Sequence, residues 1–346
     1  MSRFFVIIIL SLTPILNWAT TLADMKAHNP TSTKTWAEQW FYNITDPTVG
    51  TFKISFQTYI APDSTDGRER AYMHLAFTPL SGTTIKYDLF YDDVILQHPD
   101  KLGEFYYEVP GIIVADEETL SITHDDFNFS MSWQGPHNRY WKGINPGQTP
   151  FGLIPELPGV GGKWFLYTVG TEVKYNFSNG DTAWSGLGHA QVDKGWYDKE
   201  SSAGMMYTMG LSDELYFMFA GAALGNSSIE MWAGRYISDN HDLIFYPAFN
   251  NFSVKREFDS CKGNLHVEFN KIGKKLLIDA KAPIDTFYSL NFPSVIIFGG
   301  EQSYMKSMSA EVNFQLYSFG KLKEKIRIPQ ALLEFSGPFY CNGFDN

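Results

Sequence analysis

The chain has 346 residues, of which 44% are hydrophobic, 16% aromatic and only 19% charged. That length supports one large or two medium domains with a sizeable core, and the aromatic, weakly charged composition excludes a disordered chain. A formal net charge of -11 excludes a nucleic-acid binder, which needs a basic surface to neutralise phosphate, and makes the protein as a whole a poor match for anionic lipid.

The N-terminus places Arg3 before an apolar run, Phe4 to Leu16, followed by small residues up to Ala23. This is the layout of a secretory signal peptide over 1–23, cleaved after Thr21-Leu22-Ala23. The alternative is an uncleaved anchor, for which the run is short and interrupted by Pro14. No second apolar stretch of about 18 residues follows, so a secreted or lumenal protein, soluble after cleavage, is expected. Export fits the two cysteines, Cys261 and Cys341, which are read as a disulfide, with two free thiols as the alternative. It also fits the sequons at Asn43, Asn128, Asn176, Asn226 and Asn251, which mark possible glycan positions.

From Trp36 the text alternates between apolar and polar residues. In the segment 51–60, Phe52, Ile54 and Phe56 share one face, the pattern of a half-buried antiparallel strand. Segments 71–78 and 84–91, joined at Ser81-Gly82, read as a hairpin, and 105–109, 112–114 and 120–133 continue the series. Only 92–97 and 329–333 offer a turn or two of helix. Residues 134–163 hold five prolines and seven glycines, and Tyr140, Trp141 and Phe151 among them suggest a structured loop over a barrel mouth.

Strands at 164–169 and 171–177 lead into the segment from Gly186 to Lys199. As a strand it presents His189, Gln191 and Asp193 on one face and Ala190, Val192, Lys194 and Trp196 on the other. After a polar break at 199–204, about ten further segments between 205 and 328 repeat the rhythm. The chain therefore reads as all-β: an N-terminal domain over 24–200 and a C-terminal domain over 201–346, each a barrel or sandwich.

The run from Trp164 to Tyr175 (WFLYTVGTEVKY) leading into GLGHAQVDKGW resembles the tocopherol cyclase and carotenoid hydratase superfamily. Asp193, Lys194 and Trp196 match its acidic-Lys-x-Trp run, with His189 upstream; Gly135-Pro136 and the loop from Trp141 to Pro146 look like its middle section. Tyr197-Asp198-Lys199 stand where members usually continue with glycine and a Phe-Pro pair. The resemblance implies two lipocalin-like antiparallel β-barrels in tandem. Its implied activity is cyclisation or hydration of a hydrophobic unsaturated small molecule, isoprenoid, polyene or polyketide-like, and the family includes fungal decalin-forming cyclases.

On that reading Asp193, His189 and Lys194 are the catalytic residues, with Asp193 as the acid and His189 as a proton relay, while Trp196, Trp141, Tyr207 and Trp232 line the substrate pocket and stabilise a developing cation. The alternatives are a polar network between barrels without chemistry, and a secreted carrier holding a lipophile in a dry interior. No nucleophile elbow, zinc helix, phosphate loop or Cys-x-x-Cys occurs, and the eight histidines lack ligand spacing. No metal or cofactor is expected, and the partner expected is a hydrophobic small molecule.

Overall fold

The computed structural model describes the chain outside residues 1–24, 31–34, 62–63, 101–102, 141–148, 153–161, 181, 198–203, 224–228, 250–252, 290–303 and 345–346. The expected strand at 295–298, residue Trp141, and the sequons at Asn226 and Asn251 lie outside the described residues.

Among the described residues the regular structure is strand, with three short 3-10 turns. The first sheet contains β1 (Trp36–Asp46), β2 (Gly50–Ile60), β3 (Arg70–Pro79), β4 (Ile85–Tyr91), β5 (Tyr106–Val109), β6 (Ile113–Asp116), β7 (Thr119–Thr123), β8 (Phe127–Trp133), β9 (Gly162–Asn179) and β10 (Thr182–Tyr197). Its order is β4-β3-β2-β1-β10-β9-β8-β7-β6-β5, and each pairing is antiparallel. The edges nearly meet, because Ile95, just after β4, exchanges both backbone hydrogen bonds with Glu108 of β5 at 2.8 Å. Closure removes the exposed edges that would otherwise template aggregation.

The second sheet contains β11 (Met205–Leu211), β12 (Leu215–Ala223), β13 (Glu230–Ser238), β14 (Asp242–Phe249), β15 (Val254–Asp259), β16 (Asn264–Lys271), β17 (Lys274–Lys281), β18 (Tyr304–Ser318) and β19 (Lys321–Ser336), in the order β14-β13-β12-β11-β19-β18-β17-β16-β15. Both sheets therefore pair their first strand with their last, β1 with β10 and β11 with β19. The fold is two lipocalin-like antiparallel barrels in tandem, and the chain passes from one sheet to the other between Tyr197 and Met205.

Four local expectations need correction. Segment 92–97 makes no helical turn and instead bridges β5 through Ile95. Segment 120–133 is two strands around a turn at His124-Asp125-Asp126, 164–177 is one long strand, and 329–333 extends within β19. Pairing with β18 on one side and β11 on the other fixes the last as strand. Helical propensity in so short a run cannot compete with a complete ladder.

The first barrel is filled. Trp40, Phe56, Phe105 and Tyr107 pack ring against ring at one end, and Phe52, Phe77, Phe129 and Phe177 at the other. In the second, Phe217, Phe219, Phe245, Phe269 and Phe314 do the same. Cys261 and Cys341 form a disulfide across 80 residues, tying the C-terminal tail to the turn after β15.

The barrels dock along a seam. Gly170, in β9, adopts a φ of 78°, and a Cβ there would fall 2.5 Å from the Tyr216 ring of β12. This position needs glycine twice over, for its backbone conformation and for the close approach. Strands β1 and β2 are buried on both faces, since one face lines the barrel and the other lines the seam.

Candidate functional site

The outward face of the first barrel carries three rows of side chains across its strands. Gln191, Asn43 and Lys53 form one row, Asp193, Phe41, Ser55, His74 and Asp88 the next, and Gln39, Gln57 and Tyr72 the third. In an isolated barrel this face would be solvated. Here Asn43, Lys53, Ser55, Gln57, His74, Gln191 and Asp193 are all at most 6% exposed. The second barrel covers them with Tyr207 from β11, Tyr304 and Lys306 from β18, Glu334 from β19, and Tyr288 from the connection before β18.

Apolar clusters flank this polar tract. On one side lie Leu166, Val169, Tyr207, Met209, Met218 and Leu332; on the other, Tyr72, Ala76, Tyr288 and Met308. The start of the 134–163 loop joins the first cluster through Tyr140, whose carbonyl, with that of Arg139, accepts from the buried Arg235 guanidinium. Its described parts thus pack at the seam and not over a barrel mouth. Asn138 fastens them to β9, its side-chain amide donating to the Val169 carbonyl at 2.7 Å.

Asp193 sits at one end of the central row. Its carboxylate accepts from the Trp164 indole at 3.0 Å and from the Gln191 amide at 3.3 Å, and the same amide donates to the Tyr207 hydroxyl. Burial pushes the carboxyl above the ordinary range, against the opposing pull of Lys53 and these hydrogen bonds. Lys53 is pulled down to about 7, mainly by desolvation and then by Lys306. Among the described residues its ammonium has no hydrogen-bond or ion-pair partner and lies 4.2 Å from the centre of the Phe41 ring. Lys306 is paired with Glu334 at 3.0 Å.

His74 lies near the other end of that row. Its Nδ1 is 3.0 Å from Asp88, which also accepts from the Tyr72 hydroxyl. Burial lowers the imidazole pKa, so the ring is neutral, donates from Nδ1 to Asp88 and keeps a lone pair on Nε2. That Nε2 is buried without a partner among the described residues, as are Asn43 Oδ1 and Nδ2, Ser55 Oγ, Gln57 Oε1, Gln191 Oε1, Tyr288 Oη and Gln330 Oε1. Most native buried polar groups are satisfied; of the twelve such atoms among the described residues, these eight lie on that face or on the second barrel, and the others include Trp36 Nε1, Tyr91 Oη and His137 Nδ1.

Of the residues singled out in the sequence, the structure brings together Asp193 and Tyr207. His189 lies toward the rim, with Nε2 at 3.3 Å from Asp213 and Nδ1 at 3.2 Å from the Tyr216 hydroxyl. Lys194 and Trp196 point the opposite way, into the end of the first barrel. There Lys194 pairs with Glu38 at 2.7 Å, both fully buried, and its ammonium sits 5.2 Å from the ring centres of both Trp40 and Trp196. The segment from Met25 to His28 closes this end: Trp40 donates to the Met25 carbonyl at 2.7 Å, Lys194 donates to the Lys26 carbonyl, and His28 stacks on Trp196. Trp232 is inside the second barrel, against Phe269, with its indole donating to Glu230 at 3.1 Å.

The sequence reading missed Lys53, Ser55, His74, Lys306, Glu334 and Trp164. A signal was present in β2, where Lys53, Ser55 and Gln57 alternate with Phe52, Ile54 and Phe56. That alternation is equally the mark of a solvent face. Asn43 belongs to the seam too: at 1% exposure it cannot carry a glycan in this fold, whereas Asn128 and Asn176 are exposed on neighbouring strands. Among the described residues no cluster of metal-ligating side chains occurs, and no helix is long and apolar enough to cross a membrane.

No family model matches the chain, and no curated protein does. Solved structures match over nearly its whole length. A candidate AttH of Nitrosomonas europaea aligns with a TM-score of 0.52 at 12% identity, over 91% of this chain and 95% of its own. CghA in complex with Sch210972 gives 0.56 at 12%, over 90% and 94%. Kievitone hydratase of Nectria haematococca gives 0.56 at 10%, over 92% of each. At such identities the likeness is one of fold.

Proposed function

We propose that this chain is a secreted enzyme of the tocopherol cyclase and carotenoid hydratase superfamily, and that it cyclises or hydrates a hydrophobic, unsaturated small molecule held in the seam between its barrels. The observation that carries this reading is Asp193: a buried carboxyl, raised by desolvation, at the head of a row of buried polar groups that lack partners. Such a group stays protonated closer to neutral pH and can give its proton to an alkene. The likeness to a structure named as a hydratase and to one named with a bound small molecule supports the class, as does the Asp193-Lys194-x-Trp196 run.

Asp193 protonates an alkene carbon and leaves a cation at the adjacent carbon. In hydration a water attacks that cation and its surplus proton returns to the Asp193 carboxylate; in cyclisation an internal hydroxyl or double bond attacks and the proton lost returns likewise. Trp164, whose indole donates to Asp193, and Tyr207, with ring centroids 6.3 Å apart, supply aromatic surface beside Asp193 for the cation. Three strand spacings along the central row separate Asp193 from His74, about 14 Å at the usual interstrand distance. An elongated substrate therefore has its alkene at Asp193, its apolar body over Phe41 and a polar handle donating to His74 Nε2. Packed barrel interiors argue against a carrier holding its ligand inside one barrel.

Incubation of the purified protein with polyenes and prenylated phenols, followed by chromatography and mass spectrometry, tests the proposal. A hydrated product, or an isomer of unchanged mass and new retention, is expected. Tight binding with only unchanged ligand recovered makes the protein a carrier and overturns the enzyme reading.

A further inference from the structure

One end of the second barrel turns apolar residues outward on two adjacent hairpins. The β16–β17 turn is Lys271-Ile272-Gly273-Lys274 and the β18–β19 turn is Ser318-Phe319-Gly320-Lys321. Lys274 lies opposite Lys271 on one side and Ser318 on the other, so the two tips are side by side. Ile272 is 99% exposed and Phe319 85%. Both side chains stand clear of the hydrophobic clusters of the second barrel.

The backbone holds Phe319 there. Its φ of 47° is the one positive value of a non-glycine residue among those described, a conformation that bulky residues avoid. The ring rests against Gly273, where a Cβ would come within 2.8 Å of it. One tip therefore braces the other's aromatic ring while leaving it in solvent. Tyr246, also exposed, lies beside the same tip, 5.7 Å from the Lys271 ammonium.

Charge at this end is locally basic although the chain is acidic. Lys271, Lys274, Lys275, Lys321 and Lys323 stand on the two turns or on the strand ends beside them, and Lys271 faces Lys274 directly across the turn, a placement that destabilises a hairpin. Two carboxylates lie nearby, Glu268, which accepts from Asn270 at 2.8 Å and feels the Lys275 ammonium, and Glu324, which accepts from Tyr236, Ser238 and His241; both keep their charge, and the lysines outnumber them. Net charge alone describes this protein as a poor partner for anionic lipid; its distribution reverses that at one pole.

We propose that this end of the second barrel docks peripherally on an anionic bilayer surface, with Ile272 and Phe319 entering the headgroup region and the lysine collar facing the anionic headgroups. Exposed apolar tips ringed by long cationic side chains suit that boundary, where the tips leave water and the ammonium groups stay hydrated. The inference stands independently of the chemistry proposed for the seam.

Co-sedimentation of the full chain with vesicles tests it, comparing phosphatidylcholine alone with phosphatidylcholine containing phosphatidylserine. Binding is expected to the anionic vesicles, to weaken with salt, and to fall at least ~10-fold when Ile272→Asp and Phe319→Asp are combined. Phe319→Gly separates docking from folding, because it relieves the backbone and raises the thermal midpoint while weakening binding. No binding to anionic vesicles at low salt, equal binding to both vesicle types, or binding untouched by the double substitution overturns the proposal. So does a concentration-dependent dimer that the same substitutions abolish, since the tips then serve a second copy of the chain.

Discussion

Asp193 and Lys194 share a peptide bond and no environment: the Asp193 carboxyl accepts a hydrogen bond from the Trp164 indole at 3.0 Å in the seam, while the ammonium lies 2.7 Å from Glu38 inside the first barrel. A strand that is buried on both faces assigns the two halves of one short run to different tasks. Asp193 faces the proposed chemistry, and Lys194 and Trp196 close a barrel end.

Asp193→Asn is expected to lower proton-dependent turnover by roughly 10²–10⁴-fold, the usual worth of a positioned acid. Retention of full activity, measured as product formed per enzyme on a cyclised substrate, points instead to ring closure by cycloaddition, in which orientation does the work.

The same substitution has a stability signature. The folded-state pKa of Asp193 lies above its unfolded value, so its contribution is fully favourable below the unfolded pKa and is lost as pH rises through the folded one. The thermal midpoint of Asp193→Asn minus that of the native chain should therefore increase from acid toward neutral pH. Lys53 has its folded pKa lowered to about 7. Its penalty is absent above the unfolded pKa, grows as pH falls toward 7, and is complete below, so Lys53→Met should stabilise the protein most under acidic conditions.

Removing Lys194 leaves a buried charge half-supported. Among the described residues Lys194→Met leaves the Glu38 carboxylate only His28, whose backbone N–H and Nδ1 lie 2.8 and 2.6 Å from it, and is expected to cost up to about 3–5 kcal/mol in denaturant unfolding. Combining it with Glu38→Gln should recover a large part of that loss. Activity per folded molecule should be little changed, because neither group faces the seam.

Reduction of the Cys261–Cys341 disulfide, which closes 80 residues, is expected to destabilise the second barrel by about 2–5 kcal/mol. Thermal unfolding with and without reductant checks this.

Expressed through a glycosylating secretory pathway, the chain is expected to lose one glycan on Asn128→Gln and one on Asn176→Gln, read as mobility shifts. Asn43→Gln should produce no shift, because its side chain is in the seam.

The strand rhythm of the sequence discloses an all-β chain, because alternation is a local property. Of the residues at the candidate site, a local motif marks only Asp193, and Tyr207 stands out only as one aromatic among many. Lys53, Ser55 and His74 are invisible to that reading for a physical reason. A strand's polar face has the same pattern whether water or a second barrel covers it, and which of the two applies depends on residues more than a hundred positions away. Lys306 and Glu334 share that dependence; they neutralise each other across β18 and β19 and resemble any surface ion pair when taken one at a time.

Pairing β1 with β10 and β11 with β19 sets the order in which this protein can be made. Strand β1 emerges first and must wait for Tyr197 before its second neighbour exists; β11 waits likewise for β19. Neither barrel can close while its last strand is still in the ribosome, and such long-range closure folds slowly. During synthesis the first barrel is complete before the second has all its strands, so its seam face, with Lys53, His74 and Asp193, stays wet until the second barrel folds down on it.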